Sequence, residues 1–377
     1  MNLIYLDNAA TTYPKPEEVL DALDKANRNA FNTGRGGYTS ARNSTLLIDE
    51  VRKKILNINT IKEGNVVLLP SATIALNSII FGLSFKKGEN IYVSPFEHNS
   101  IMRALNELKK RVGINIEIIP FDKKSWKVDE SKLSNKFALK KPSAIFISHI
   151  SNVTGYILPY ETIFKLANKY NSINVLDASQ SYGIKKIEEL KDINFIVFAG
   201  HKSLYASFGV AGYINVKKTN MKPFCYGGTG SDSLNLDMPE ESPTRFESGS
   251  ANIVAISGLN ASLDWLNTKK IYEEEKKKTD YLISQLKKNY KVRIYIPEDI
   301  KRIFGVVSFS VNGYSSDEVG KILNDEFEIC VRTGYHCAPL VHDFIGSKDS
   351  NGTVRVSLSY FTTKKEIDML IDAINSL

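Results

Sequence analysis

Through the middle of the chain, short runs of β-branched and aromatic residues alternate with stretches whose apolar side chains recur every three or four positions. The runs NVVLLP (65–70), NIYVSP (90–95), NIEIIP (115–120), AIFISHIS (144–151), INVLDAS (173–179), FIVFAG (195–200) and GVAGYINV (209–216) are expected to be strands. Between several of them, stretches such as ATIALNSIIFGLSF and YETIFKLANKYN carry a helical period. That alternation predicts an α/β unit around a largely parallel sheet of seven strands. No internal repeat or low-complexity segment interrupts it.

After Ser257 the pattern changes. One long helical stretch (259–290) is followed by VRIYIP, GVVSFSVNG, a helix from about Ser316, then ICVRTG and TVRVSLSYF. This reads as a smaller α+β unit. The expected division is 15–257 for the larger domain and 258–377, with the N-terminal segment 1–14, for the smaller one. A length of 377 residues suits one large core plus a smaller one.

Composition narrows the class. With 42% hydrophobic and 24% charged residues the chain reads as globular, and no apolar run approaches the ~20 residues of a membrane span. The start, MNLIYLDNAATT, has neither a basic leader nor a small-residue cleavage site. Three cysteines, Cys225, Cys330 and Cys337, are an odd number and suit a reducing compartment, so a cytoplasmic location is expected. The formal charge is +7, but the densest run, YEEEKKKTDYLISQLKK (272–288), mixes signs at helical spacing and reads as a solvated helix face. Neither a nucleic-acid nor a membrane partner is expected, whereas an anionic substrate or cofactor suits the balance.

Ligands of open α/β sheets sit at the carboxyl ends of strands. Here Ser71, Ala72 and Thr73 follow the first run, where a helix start offers unpaired N–H groups to an anion or is an ordinary cap. His98 and Asn99 follow the second, Asn152 the fourth, Asp177 and Gln180 the fifth, and Gly200, His201 and Lys202 the sixth. Each has a bland explanation alone; reactive groups at four strand ends together are harder to dismiss. A lysine and a carboxylate facing an anion site match pyridoxal phosphate, which needs an amine for its Schiff base, an acid at its ring nitrogen and donors for its phosphate. Lys202, Asp177, Gln180 and His98 would serve the amine, the ring nitrogen, the ring hydroxyl and the ring face. No tight carboxylate–histidine cluster suggests a metal, and neither G-x-G-x-x-G nor G-K-[ST] is present for a nucleotide.

The motifs YLDNAATTYPKP, PSATIALN, FEHNS, SNVTG, DASQ, GHKSLY, FESGSANI and RTGYHCAPL occur in this order over essentially the whole chain. In that order they resemble the class V aminotransferase-fold enzymes, and most of all the cysteine desulfurases and selenocysteine lyases. The RTGYHC form and its compact loop are similar to group II desulfurases. The resemblance implies fold type I of the pyridoxal-phosphate transferases. It also implies that Lys202, Cys337 and His98 are catalytic. Ala72, Thr73, Gly200 and His201 would grip the phosphate, with Asn152, Asp177 and Gln180 at the ring. Ser250 stands where the family often has a threonine reaching the other subunit's phosphate, which implies a homodimer. Arg355 would pair with the substrate carboxylate, for which a bidentate fork is suited, and Asn8 is carried over as substrate-binding. Two departures bear on substrate preference: Tyr335 replaces a frequent histidine, and NTGRGGYTSAR (32–42) stands where some relatives have PHRGVH.

The reaction so implied converts L-cysteine, or L-selenocysteine, to L-alanine. Lys202 would take the α-proton, and a Cys337 thiolate would accept the sulfur as a persulfide for an acceptor protein. A free thiol near pKa ~8.5 needs a proton acceptor, and His98 is favoured over His336. Three alternatives stand beside it. They are a selenocysteine lyase or another β-lyase-like activity, a sulfur-delivery platform for iron–sulfur assembly, and a loosely spaced metal site at His336, Cys337 and His342. Cys225 and Cys330 are expected to be buried or incidental.

Overall fold

The computed structural model describes residues 3–29, 32–33, 38–230 and 234–377. The glycine-rich part of the 32–42 segment (34–37) lies outside the described residues. The chain opens with a short strand, β1 (Ile4–Tyr5), then helices α1 (Glu17–Asn29) and α2 (Thr39–Ile58). The α/β body follows as β2 (Asn65–Leu69), α3 (Ala72–Gly82), β3 (Asn90–Val93), α4 (Asn99–Val112), β4 (Asn115–Ile118) and α5 (Glu130–Leu139). It continues with β5 (Pro142–Ser148), α6 (Tyr160–Ala167), β6 (Ile173–Asp177), β7 (Phe195–Ala199) and β8 (Ala211–Asn215).

Each of the seven predicted strands forms, and they make one sheet in the order β2-β8-β7-β6-β5-β3-β4. Strands β3 to β7 run parallel, whereas β8 is antiparallel to both neighbours. Every residue of β7 and β8 is buried, because helices cover both faces, and that is why these runs are continuously apolar. One buried layer centres on Leu76, Ile79, Ile80, Ile101 and Leu105 of α3 and α4. The opposite face packs Phe96, Trp126, Tyr156, Tyr182 and Phe198.

The single long helix expected at 259–290 is two, α7 (Ile253–Trp265) and α8 (Thr268–Leu286). Leu266 turns extended (φ −60°, ψ 118°), and the Asn267 side chain caps α8 by accepting from Lys270 N at 3.1 Å. Helix α7 runs across position 257 and packs on α1 and α2, while α8 packs on the C-terminal strands and the last helix. The change of packing partner therefore falls at 266–267.

The remaining elements are β9 (Val292–Ile294), β10 (Val306–Val311), α9 (Ser316–Phe327), β11 (Ile329–Cys330), α10 (Pro339–Ile345), β12 (Val354–Ser357) and α11 (Lys364–Asn375). β12, β10 and β9 form an antiparallel sheet. Capping boxes at Ser315/Glu318 and Thr363/Glu366 start α9 and α11. β1 pairs in parallel with β11, and Asp7 bridges to Ser357, so the N-terminal segment belongs with the C-terminal sheets. No helix among the described residues is long and apolar enough to cross a membrane.

Candidate active site

The carboxyl ends of β2, β3, β5, β6 and β7 converge on one cavity. Ala72 and Thr73 line it from the start of α3, His98 from the start of α4, and Asn152 from the turn after β5. Asp177 and Gln180 follow β6, and His201 and Lys202 follow β7. Eight of the residues singled out in the sequence thus share one space. Ser71 caps α3, its Oγ accepting from Ile74 N at 3.3 Å. Gly200 lies between two lining residues; its N–H donates to Val210 O at 3.0 Å, and a Cβ there would press on that carbonyl.

Burial lowers the Lys202 amine below the usual lysine range, opposed by the Asp177 carboxylate and reinforced by Arg355 and Arg332. Lys202 is therefore tuned toward a neutral, nucleophilic amine. Asp177 Oδ1 accepts from the Ser179 N–H (3.0 Å) and hydroxyl, while no described residue bonds Oδ2. Gln180 Nε2 donates to Ala9 O at 2.9 Å. His98 Nδ1 accepts the Ser100 N–H at 3.1 Å, which leaves its proton on Nε2. Burial pushes His98 down to about 3, so it is neutral at physiological pH. His98 faces the groove that holds Cys337 as a neutral ring.

His201 stacks on Phe208 with ring centroids 4.5 Å apart. Its Nδ1 is buried and unpartnered among the described residues. Its carbonyl is clasped by Thr12 N (3.1 Å), Thr11 Oγ1 (3.0 Å) and Lys15 Nζ (3.0 Å). Burial pushes Lys15 down to about 7. Behind the cavity, the fully buried Glu97 accepts from Ser148 N (3.0 Å) and Ser148 Oγ (2.7 Å), and burial pushes it up to about 7.

Cys337 is exposed and lines an adjoining groove that shares His98 and Thr73 with the cavity. Its loop is held from both sides. Asn99 N donates to Cys337 O at 2.7 Å, and Asn152 Nδ2 to His336 O at 2.9 Å. His336 and Cys337 both have positive φ, 48° and 57°, so the Cys337 loop is a strained backbone fixed by its neighbours. The His336 ring is committed elsewhere: Nε2 bonds Thr353 Oγ1 at 2.8 Å, and burial pushes it down to about 2. His342 is buried with Nδ1 bonded to Ser347 Oγ at 2.7 Å. No group of three or more metal-ligating side chains occurs among the described residues. Cys330 is partly buried and Cys225 is exposed.

Arg355 is buried, pairs with Asp7, and donates from Nη1 to Asn152 O at 3.0 Å; its Nε has no partner among the described residues. Besides Gly200, Arg355 and Cys337, two more expected residues are not among the cavity's lining. Ser250 is exposed on its own chain. Asn8 is buried with its amide used internally, donating to Ser357 O (2.9 Å) and accepting from Tyr13 N (3.0 Å), so this geometry gives it no free group for a substrate.

Arg332 was not anticipated. Its Nη2 lies 3.8 Å from Cys337 Sγ, and its side chain has no other hydrogen bond or ion pair among the described residues. It stands five residues before the cysteine in a loop, where no periodic pattern marks the pair. Asp7 was also missed, although it lies inside the quoted YLDNAATT.

The profile of the Aminotransferase class-V family matches residues 4–370. A cysteine desulfurase of Wigglesworthia glossinidia brevipalpis is 31% identical over 99% of this chain and 92% of its own. A probable cysteine desulfurase of Pyrococcus abyssi is 30% identical over 100% and 94%. Among solved structures, the apo cysteine desulfurase of Thermococcus onnurineus NA1 superposes with a TM-score of 0.90 at 29% identity, covering 100% of this chain and 95% of that one. The match runs through nearly every element described above, and the chain belongs to the aminotransferase class-V family.

Proposed function

We propose that this protein is a cysteine desulfurase that binds pyridoxal 5′-phosphate and converts L-cysteine to L-alanine, keeping the sulfur on Cys337 as a persulfide. The observation that carries the reading is the shared wall. Lys202, Asp177 and His98 line one cavity, and His98 also faces the groove that holds Cys337. The residues fit the cofactor. The start of α3 and the unpartnered His201 Nδ1 suit a phosphate, the free Asp177 Oδ2 suits a ring nitrogen, and the depressed Lys202 amine suits a covalent link.

Bound pyridoxal phosphate supplies an electron sink for charge developing at the substrate Cα. Asp177 keeps the ring nitrogen charged. Lys202, whose basicity burial lowers, would take and return the substrate's proton. Arg355 directs its guanidinium to the substrate carboxylate. The Cys337 thiolate attacks the substrate sulfur, so that a C–S bond breaks, an S–S bond forms, and the carbon skeleton gains the proton that completes alanine. Arg332 faces the sulfur throughout. An acceptor protein with its own thiol then removes the sulfane sulfur.

We also propose a homodimer, because Ser250 is exposed and outside its own chain's cavity, and a cytoplasmic location, which the three unpaired cysteines suit. The test of the activity is product analysis with the cofactor-loaded protein. The native chain is expected to release alanine and form one persulfide, and Cys337→Ser to lose both with L-cysteine. Undiminished alanine release by Cys337→Ser sinks the assignment; pyruvate and ammonia as products would indicate β-elimination instead. Faster turnover of L-selenocysteine by both proteins would mark a selenocysteine lyase.

A further inference from the structure

The turn that carries Lys202 is anchored at a second point, Tyr205. Tyr205 is fully buried and holds φ +57°, a conformation costly for a bulky residue. Its N–H donates to Lys202 O at 2.9 Å, so the tyrosine and the lysine share one tight turn. Its hydroxyl donates to Glu275 Oε1 at 2.6 Å and accepts the Tyr360 N–H at 2.7 Å. Glu275 is 3% exposed and has no cation in ion-pair contact among the described residues. Lys278, one turn along α8, instead spends its ammonium on the carbonyls of Ser359 and Tyr360. Glu275 also lines a small cavity whose far wall includes Gln180 and Ser203. A buried carboxyl without an ion-pair partner costs free energy, and a strained turn costs more; both persist where their geometry is used.

We infer that Glu275 is a positioning residue for Lys202, acting through the Tyr205 hydroxyl to couple the lysine turn to α8 and the C-terminal sheet. The same C-terminal part carries Arg355 and Cys337, so the bond links the amine to the groups that meet the substrate. A displacement of α8 is transmitted to Lys202 along three covalently successive residues. This rests on Lys202 as the lysine that holds pyridoxal phosphate.

The test compares Glu275→Leu, Glu275→Gln and Tyr205→Phe with the native protein, all as full chains. Three quantities are read: the rate at which added pyridoxal phosphate develops its visible band on the apo-protein, the pH midpoint of that band, and kcat against KM. Glu275→Leu and Tyr205→Phe are expected to slow band formation and lower kcat about tenfold, with a shifted midpoint and little change in KM. Glu275→Gln, which still accepts the phenol hydrogen, is expected to restore all three. The inference is overturned if the variants lower only the melting temperature, or if Gln behaves as Leu does. A native protein that forms no visible band at all would instead defeat the reading of Lys202, and one that forms the band without desulfurating L-cysteine would defeat only the substrate assignment.

Discussion

A thiol that attacks sulfur needs its negative charge held where attack occurs, and Arg332 is the cation nearest Cys337 Sγ. Arg332→Gln is therefore expected to slow persulfide formation about tenfold in single-turnover experiments while leaving pyridoxal phosphate binding intact. An unchanged rate would show that this charge is not used. Glu275 permits a second measurement. Its folded-state value, pushed up to about 7 by burial, lies above its ordinary 4.5. The folded chain then holds a proton that the unfolded chain has lost, so the stabilisation is full below about 4.5 and disappears as pH rises through 7. Tyr205 and Lys278 are the titratable groups facing it. The melting temperature of the native chain, relative to Glu275→Gln, should fall between pH 4.5 and 7 and level off above. Lys202, Asp177 and His98 were legible because each stands at or within five residues of a strand's carboxyl end and needs only local pattern to be found. Arg332 beside Cys337, and Asp7 beside Arg355, were not, since neither pairing is periodic. Asn8 shows the converse: its motif was plain, but a motif does not say which way a side chain faces.

Among the elements, the strands were legible because burial on both faces writes each one as an unbroken apolar run. Their directions were not, because such a run reads alike in either sense; hence the antiparallel β8 inside an otherwise parallel core. The α7–α8 break escaped notice because Leu266 keeps the helical period, and only the cap at Asn267 betrays it. The turn after β5 makes a testable claim of its own. Gly155 has φ +70°, and a Cβ there would collide with the carbonyl oxygens of Val306 and Phe304. Gly155→Ala must distort either that turn or β10, and is expected to cost about 2 kcal/mol or more in chemical denaturation, with Asn152 displaced and cofactor affinity lowered. A variant as stable as the native chain would mean that β10 yields freely.

At the scale of the whole molecule, one chain lines the cavity from five strand ends, and Ser250 stays exposed outside it. The chain also exposes Phe208 and Tyr226 at 64% and 69%, large apolar surfaces that suit a covering partner. In a dimer, mixing Ser250→Ala subunits with Lys202→Ala subunits should yield hybrids that differ in cofactor affinity from either parent, while sedimentation gives twice the chain mass. A monomer with native cofactor affinity would refute the arrangement. The pairing of β1 with β11, and of Asp7 with Arg355 across 348 positions, carries a consequence for biosynthesis. During translation the part of the chain that lines the cavity, through Lys202, leaves the ribosome well before residue 355 exists. β1 must wait for β11, and Asp7 for its counter-charge until β12, the last strand, is made. The residues that line the cavity, up to Lys202, are thus made before the strand that carries Arg355.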